Sequence, residues 1–337
     1  MRTPSLDCVA MTESSALSGS LLPSSPRDTH AVVVGGGTMG ADVAIVLARG
    51  GCRVTVVEPQ ASQCDALHQR VLAGLADLEL AHRAQRVITA PSVHEVDWQD
   101  ARLVVECIPE KLDLKQALFA QLLELAPART VLTSNSSSFP ISAIAQGLPT
   151  QQRMLGLHFF MPAHLVPLVE VVLGPQTDEA IAQGLCAFMR GCGSVPVLVR
   201  KDKPGFLANR LQHALSREAF AMIDEGVATP EDVDAAVRFG FGFRYLAAGP
   251  VMQRDHAGLD VHCAAAATMY PSLSNTAEPS RALRERVQAG RFGMKAGAGF
   301  YDWTPETRQT ERERYDRLLR QGLQLLASEL PPIDKSF

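Results

Sequence analysis

The sequence predicts a doubly wound, mostly parallel α/β sheet followed by a smaller all-α domain. Three observations carry this. Apolar runs of strand length alternate with amphipathic helical patterns as far as residue 200. A glycine-rich turn joins the first strand to the first helix. Beyond the break at KDKPGF, where Pro204 and Gly205 interrupt both periods, strands are hardly visible.

The chain has 337 residues, which suits two domains, and 46% of them are apolar, enough for a core in each. Residues 1–29, rich in Ser and Pro and without periodicity, read as a disordered tail, with a start at Met11 as a minor alternative. The folded part begins at His30 with the strand AVVVG. GGGTMGADVAIVLARGG follows as turn and helix, then the strand RVTVVEP. Residues 61–86 carry helical spacing at Leu67, Val71, Leu75, Leu78 and Leu80. RVITA, LVVECIP, TVLTSNS, MLGLHFF and LVEVV are further strand-length runs, with helical patterns at 111–127 and 177–190. This unit spans 30–200. The segment 201–310 reads as helical. FLANRLQHALSREAFAMIDEG forms one long amphipathic helix, and TPEDVDAAVRFG opens another with a Thr cap, a Pro and acids in its first turn. Residues 311–337 are a charged C-terminal helix and tail.

A net charge of −4, with no block of one sign, argues against a nucleic-acid partner. No apolar run reaches the roughly 18 residues of a membrane span. The seven cysteines, at 8, 52, 64, 107, 186, 192 and 263, form no Cys-x-x-Cys pair and read as buried free thiols in a reducing, cytoplasmic setting. No metal-ligand spacing stands out.

Gly35-Gly36-Gly37-Thr38-Met39-Gly40 fits G-x-G-x-x-G between a strand and a helix, the context of a Rossmann dinucleotide site. Gly35 permits the tight turn, Gly37 lets a pyrophosphate approach the backbone, and Gly40 lets helix and strand pack closely. Free N–H groups at Thr38 and Met39 then face the phosphates. Glu58 ends the second strand 18 residues after Gly40. A carboxylate there accepts from ribose hydroxyls and repels the extra phosphate of NADP, so NAD is the expected cofactor.

Ser134-Asn135-Ser136-Ser137-Ser138 follows the strand TVLT, at the strand-end crevice where such sheets bind ligands. His158 closes MLGLHFF, and Glu170 lies among apolar neighbours in PLVEVV. Oxidising an alcohol with NAD needs a base for the hydroxyl proton. A histidine titrates in the useful range, and a carboxylate behind it fixes the ring. A single histidine out of nine is by itself weak support.

At these residues the sequence resembles the 3-hydroxyacyl-CoA dehydrogenase family. SNSSSFPISAIA is similar to its SNTSSLPI segment, GLHFFMPAHLVPLVEVV to GLHFFNPxxxxxLVEV, KDKPGFLANR to KDxPGFxxNR, and FGMKAGAGFYDW to its basic GxKxGxGFY segment. The likeness runs from about 30 to 303, in order. It implies that His158 is the general base and Glu170 its orienting partner. Ser137 and Asn209 would hydrogen-bond the reacting oxygen, while Glu110, Lys115 and Lys295 would contact the cofactor. The plain structural alternatives are a helix-capping Glu110, solvated lysines and an asparagine satisfied in the core. The resemblance also implies a homodimer through the helical domain, where residues 261–270 (VHCAAAATMY) serve as contact or core.

Two departures bear on the substrate. Met161 stands where the family has Asn, and a thioether donates no hydrogen bond. The region between Glu58 and Val104 is short and not basic, whereas the fatty-acyl enzymes hold coenzyme A with a longer helical insertion there. Pro167-Leu168-Val169-Glu170 and Gly242-Phe243-Arg244-Tyr245…Gly249-Pro250 are similar to the gulonate, carnitine and pyridine-carboxylate dehydrogenases. Arg244 is therefore either a bidentate carboxylate clamp or part of an ion pair. The substrate is either a 3-hydroxyacyl-CoA or a small hydroxy acid. A catalytically silent NAD sensor, suggested by Met161 alone, is the competing class.

Overall fold

The computed structural model describes residues 21–337. Eight strands form one sheet: β1 (His30–Val34), β2 (Arg53–Val57), β3 (Val87–Ala90), β4 (Ala101–Glu106), β5 (Val131–Ser134), β6 (Met154–Phe159), β7 (Leu168–Leu173) and β8 (Val195–Val199). Their order is β3-β2-β1-β4-β5-β6-β7-β8. All neighbouring pairs are parallel except β6 and β7, which run antiparallel. Val32, Val33, Val104 and Val105 are fully buried, because helices cover both faces of the sheet. Burial of each such side chain contributes about 1.5–3 kcal/mol.

Helices α1 (Thr38–Arg49), α2 (Ala61–Ala76) and α5 (Glu179–Gly191) pack on one face, and α3 (Leu112–Leu125) with the short α4 (Ile141–Ile144) on the other. The helix expected over 61–86 ends at Ala76. Leu78 and Leu80 reach the same core from a turn and a 3₁₀ segment over Ala81–Arg86, so apolar spacing outlasts the helix.

The second half holds α6 (Ala208–Asp224), α7 (Pro230–Ala236), α8 (Gly242–Arg244), α9 (Pro250–Ala257), α10 (Leu259–Met269), α11 (Arg281–Gln288) and α12 (Pro305–Leu325). Thr229 makes the capping box that TPED announces, accepting from the Asp232 N–H at 3.2 Å. The core expected for this domain is not formed among the described residues. α6, α7, α8, α10 and α12 contain no buried residue. Val261 and Met269 are exposed, so 261–270 is not core of the single chain. α12 returns to the sheet domain, where Arg320 meets Asp77 at 2.7 Å.

The tail expected over 1–29 is corrected at its end. Leu21 and Leu22 are buried, the Leu21 carbonyl accepts from Arg102, and Pro26 lies against Gly50 and Gly191. Two leucines and a proline are too few to show a period, yet they fill a gap in the core. Residues 1–20 lie outside the described residues. The six described cysteines are free, but Cys263 is exposed and Cys64 and Cys107 are half-buried, contrary to the expectation of burial throughout. No helix among the described residues is long and apolar enough to cross a membrane, and no described cluster of His, Cys, Asp and Glu could hold a metal ion.

Candidate active site

The carboxyl ends of the central strands supply the site. At β1, Gly35 has φ +107°, and a side chain there would lie 2.7 Å from the Cys107 carbonyl. Only glycine fits that turn. A Cβ on Gly40 would meet the Gly35 carbonyl at 1.8 Å, so the start of α1 can sit this close only without one. A Cβ on Gly37 would meet nothing within 4 Å, because its backbone faces open space. No side chain caps α1, which leaves its first-turn N–H groups, including those of Thr38 and Met39, for an anion. Glu58 accepts from the Gly36 N–H at 3.1 Å and the Gln60 N–H at 2.9 Å. Each carboxylate oxygen keeps a lone pair for a ribose hydroxyl. These residues fit a dinucleotide.

The antiparallel pairing of β6 and β7 sets His158 opposite Glu170. Side chains directly across such a pair point to the same face, about 5 Å apart at Cβ. His158 Nδ1 lies 2.8 Å from Glu170 Oε2, and both residues are buried. An ionised carboxylate only accepts, so the proton belongs on Nδ1. Nε2 then presents its lone pair, with no hydrogen-bond partner among the described residues. Phe160 packs edge-on against the ring at 4.6 Å and Phe206 lies at 5.5 Å, which fixes its plane.

Glu170 has a second task. Its Oε1 accepts from the Leu207 and Ala208 N–H groups at 3.0 and 2.7 Å, at the start of α6. Burial works against its ionisation, but the His158 hydrogen bond and these two N–H groups hold its carboxyl below the usual carboxylate range. Asn209 follows in the first turn of α6, half-buried on a cavity of about 670 Å³ between α6 and residues 276–283. One carboxylate thus fixes both the imidazole and the turn that carries Asn209.

Ser137 is exposed in the loop after β5. Its neighbour Ser136 donates to Glu110 at 2.6 Å. The Asn135 side chain accepts from the Phe159 N–H at 2.9 Å, tying the serine loop to the strand of His158. Burial opposes ionisation of Glu110, yet Ser136, the Ser138 N–H and Lys115 hold its carboxyl low. Lys115 is buried, and its Nζ is satisfied by Glu106 at 2.7 Å, Glu110 at 3.1 Å and the Ile108 carbonyl at 3.3 Å. It presents no free donor at the surface.

Lys295 sits apart from this constellation, exposed with Nζ 5.6 Å from the Phe292 ring. Arg244 ends the exposed α8 and has no ion-pair partner among the described residues. Met161 is 64% exposed and lines a cavity of about 820 Å³ with Thr38, His164 and, from α12, Arg312 and Tyr315. Sequence reading placed Ser134 and Asn135 in the serine segment without a part for either, and missed Glu106. Glu106 carried a signal, as a charge closing the buried run LVVE.

Residues 30–203 match the family model of the 3-hydroxyacyl-CoA dehydrogenase NAD-binding domain, and residues 205–303 match that family's C-terminal domain. The chain belongs to the 3-hydroxyacyl-CoA dehydrogenase family. It is an NAD-dependent enzyme acting on CH–OH donors, with a Rossmann domain and a helical domain. One relative, the 5-formyl-3-hydroxy-2-methylpyridine 4-carboxylate 5-dehydrogenase of Mesorhizobium japonicum, is 32% identical over 85% of this chain and 95% of its own. The 3-hydroxyadipyl-CoA dehydrogenase of Escherichia coli is 38% identical over 81% of this chain, which spans 59% of that longer protein. A solved structure of a pyridine-carboxylate 5-dehydrogenase, described as an NAD⁺-dependent dismutase, superposes with a TM-score of 0.82 at 30% identity, covering 88% of this chain and 98% of that one. The (S)-3-hydroxybutyryl-CoA dehydrogenase of Ralstonia eutropha gives 0.67 at 29% identity, covering 82% and 99%.

Proposed function

We propose that this family member oxidises a secondary alcohol with His158 as base, and that its substrate is a small hydroxylated carboxylic acid. The observation that carries the chemistry is the buried 2.8 Å contact from His158 Nδ1 to Glu170, with Nε2 left open. Nε2 takes the hydroxyl proton, and Glu170 stabilises the imidazolium that results. Ser137 and Asn209 hold the substrate oxygen as it becomes a carbonyl. NAD supplies the hydride acceptor, bound along the glycine turn with its ribose on Glu58.

Two observations favour the small acid over a coenzyme A thioester. The fold follows the pyridine-carboxylate enzyme more closely than the thioester enzyme, at 0.82 against 0.67. Arg244 has no ion-pair partner among the described residues, and its guanidinium is able to grip a carboxylate. The test is a panel of small secondary hydroxy acids, pyridine carboxylates bearing a 1-hydroxyethyl group, and 3-hydroxyacyl thioesters, followed by NADH absorbance. Faster turnover of the thioesters overturns the substrate reading, and no turnover of any member overturns the chemistry.

We also propose that two copies pair through the helical domain. Phe239, Phe243, Val251, Leu259 and Val261 are each more than 60% exposed, an apolar surface that monomers rarely leave bare. Sedimentation at micromolar concentration tests this, and a single species of one-chain mass rejects it.

A further inference from the structure

The loop that carries Ser137 is held by a hydrogen-bonded scaffold built on a buried ion pair. Glu106 ends β4 and Ser134 ends β5, and the two are register partners. Ser134 Oγ donates to Glu106 Oε2 at 2.5 Å and accepts from the Ser136 N–H at 3.1 Å. Glu106 Oε1 accepts from the Ile108 N–H and from Lys115 Nζ, both at 2.7 Å. Lys115 also contacts Glu110 at 3.1 Å. Glu110 Oε1 in turn accepts from Ser136 Oγ at 2.6 Å and the Ser138 N–H at 2.9 Å. Ser136 Oγ accepts from the Phe139 N–H at 2.9 Å. The loop is tied on both sides of Ser137, and of its serine hydroxyls those of Ser134 and Ser136 are paired while those of Ser137 and Ser138 have no partner among the described residues.

A buried ion pair is a poor way to gain stability, since apolar replacements often do as well. What two carboxylates bridged by a lysine supply is acceptors in number. Between them they receive two backbone N–H groups and two hydroxyls, and three of these four donors, Ser134 Oγ, Ser136 Oγ and the Ser138 N–H, belong to the serine loop. Glu106 and Lys115 are 0% and 1% exposed, so neither reaches a substrate. We infer that Glu106 and Lys115 are positioning residues for the reaction, which hold the 134–139 loop so that the Ser137 hydroxyl faces the substrate oxygen beside His158. This rests on the role for Ser137 proposed above and names the groups through which that role is achieved.

A double-mutant cycle in the full chain tests it, with the fastest-turned-over panel member as probe. Ser137→Ala lowers kcat by about a hundredfold, the size of losing one oriented donor. Glu106→Gln, and the milder Ser134→Ala should the first fold poorly, each lower kcat roughly tenfold while KM for NAD stays put. On the Ser137→Ala background either change alters kcat less than about twofold, because the group they position is gone. The second readout needs no substrate or cofactor. Amide exchange at Ser136 and Ser138 quickens in Glu106→Gln and Ser134→Ala. Effects that multiply undiminished on the Ser137→Ala background, or unchanged exchange at both amides, overturn the positioning role. An unchanged kcat in Ser137→Ala instead overturns the reading of Ser137 itself.

Discussion

At the carboxyl edge of the sheet, the buried charges of Glu106, Lys115 and Glu170 each have partners. Across the helical layer, apolar side chains stand in water. Glu106, Lys115, His158 and Glu170 are at most 4% exposed, while Phe239 and Val251 are 73% and 78% exposed. One chain therefore completes the His158–Glu170 contact alone and leaves its helical face exposed. Changes in the first region should alter chemistry at any protein concentration. Changes in the second should act through association. The largest expected effect belongs to the first. His158→Gln keeps a polar group of similar size but removes the base, so kcat falls by about 10²–10⁴-fold while NAD affinity holds. Rate and fluorescence titration of NADH check this, and equal activity removes His158 from the mechanism.

Next comes Glu170→Ala, which strips the His158 Nδ1 proton and two N–H groups of α6 of their acceptor at once. Breaking a buried pair of this kind costs about 3–5 kcal/mol, so the melting temperature and kcat fall together. The pH dependence follows from the sign of the shift. The Glu170 carboxyl is held below its usual range when folded, so its stabilisation is in place above the unfolded carboxylate range and fades as pH falls through the lower folded value. Glu170→Gln should flatten that acid limb in denaturant titrations, and an unaltered limb would show that other carboxylates set it.

The same contrast explains what the sequence revealed. The glycine turn, the acid ending the second strand and the Thr-Pro helix start were legible because each is a local rule, met within a few residues. The partner of His158 was readable as a residue type, yet its geometry depends on β6 and β7 running antiparallel, and apolar run length carries no strand direction. The Glu106–Lys115 scaffold was hidden for a related reason. Its members lie on β4, β5 and α3, and only their folding together reveals that Lys115 is turned inward. In the helical layer the apolar pattern was legible as amphipathic, but a pattern does not say whether a core or a second molecule covers it.

Phe239→Asp sharpens the comparison from the other side. Within one chain Phe239 is exposed, so the substitution should alter monomer stability by less than about 0.5 kcal/mol. If a second copy covers it, a buried aromatic anchor is replaced by a charge, and association weakens by about 2 kcal/mol or more. Sedimentation over a concentration series separates the two. An unchanged mass distribution places the contact elsewhere on the molecule.

Arg244→Ala has the smallest expected effect and links the two regions. The residue lies on the unfinished side, exposed at the end of α8, yet it carries the charge that a carboxylate substrate needs. Losing one guanidinium–carboxylate contact should raise KM about tenfold for a carboxylate substrate, with kcat within a factor of about three, since the contact is made equally in ground and transition states. KM for a thioester probe should not move. Repeating the measurement in Phe239→Asp then asks whether the clamp depends on pairing. If it does, KM of that variant rises with dilution and the Arg244→Ala change adds nothing to it. A KM for the carboxylate substrate that ignores Arg244 ends the clamp and leaves substrate selection to the strand-end cleft alone.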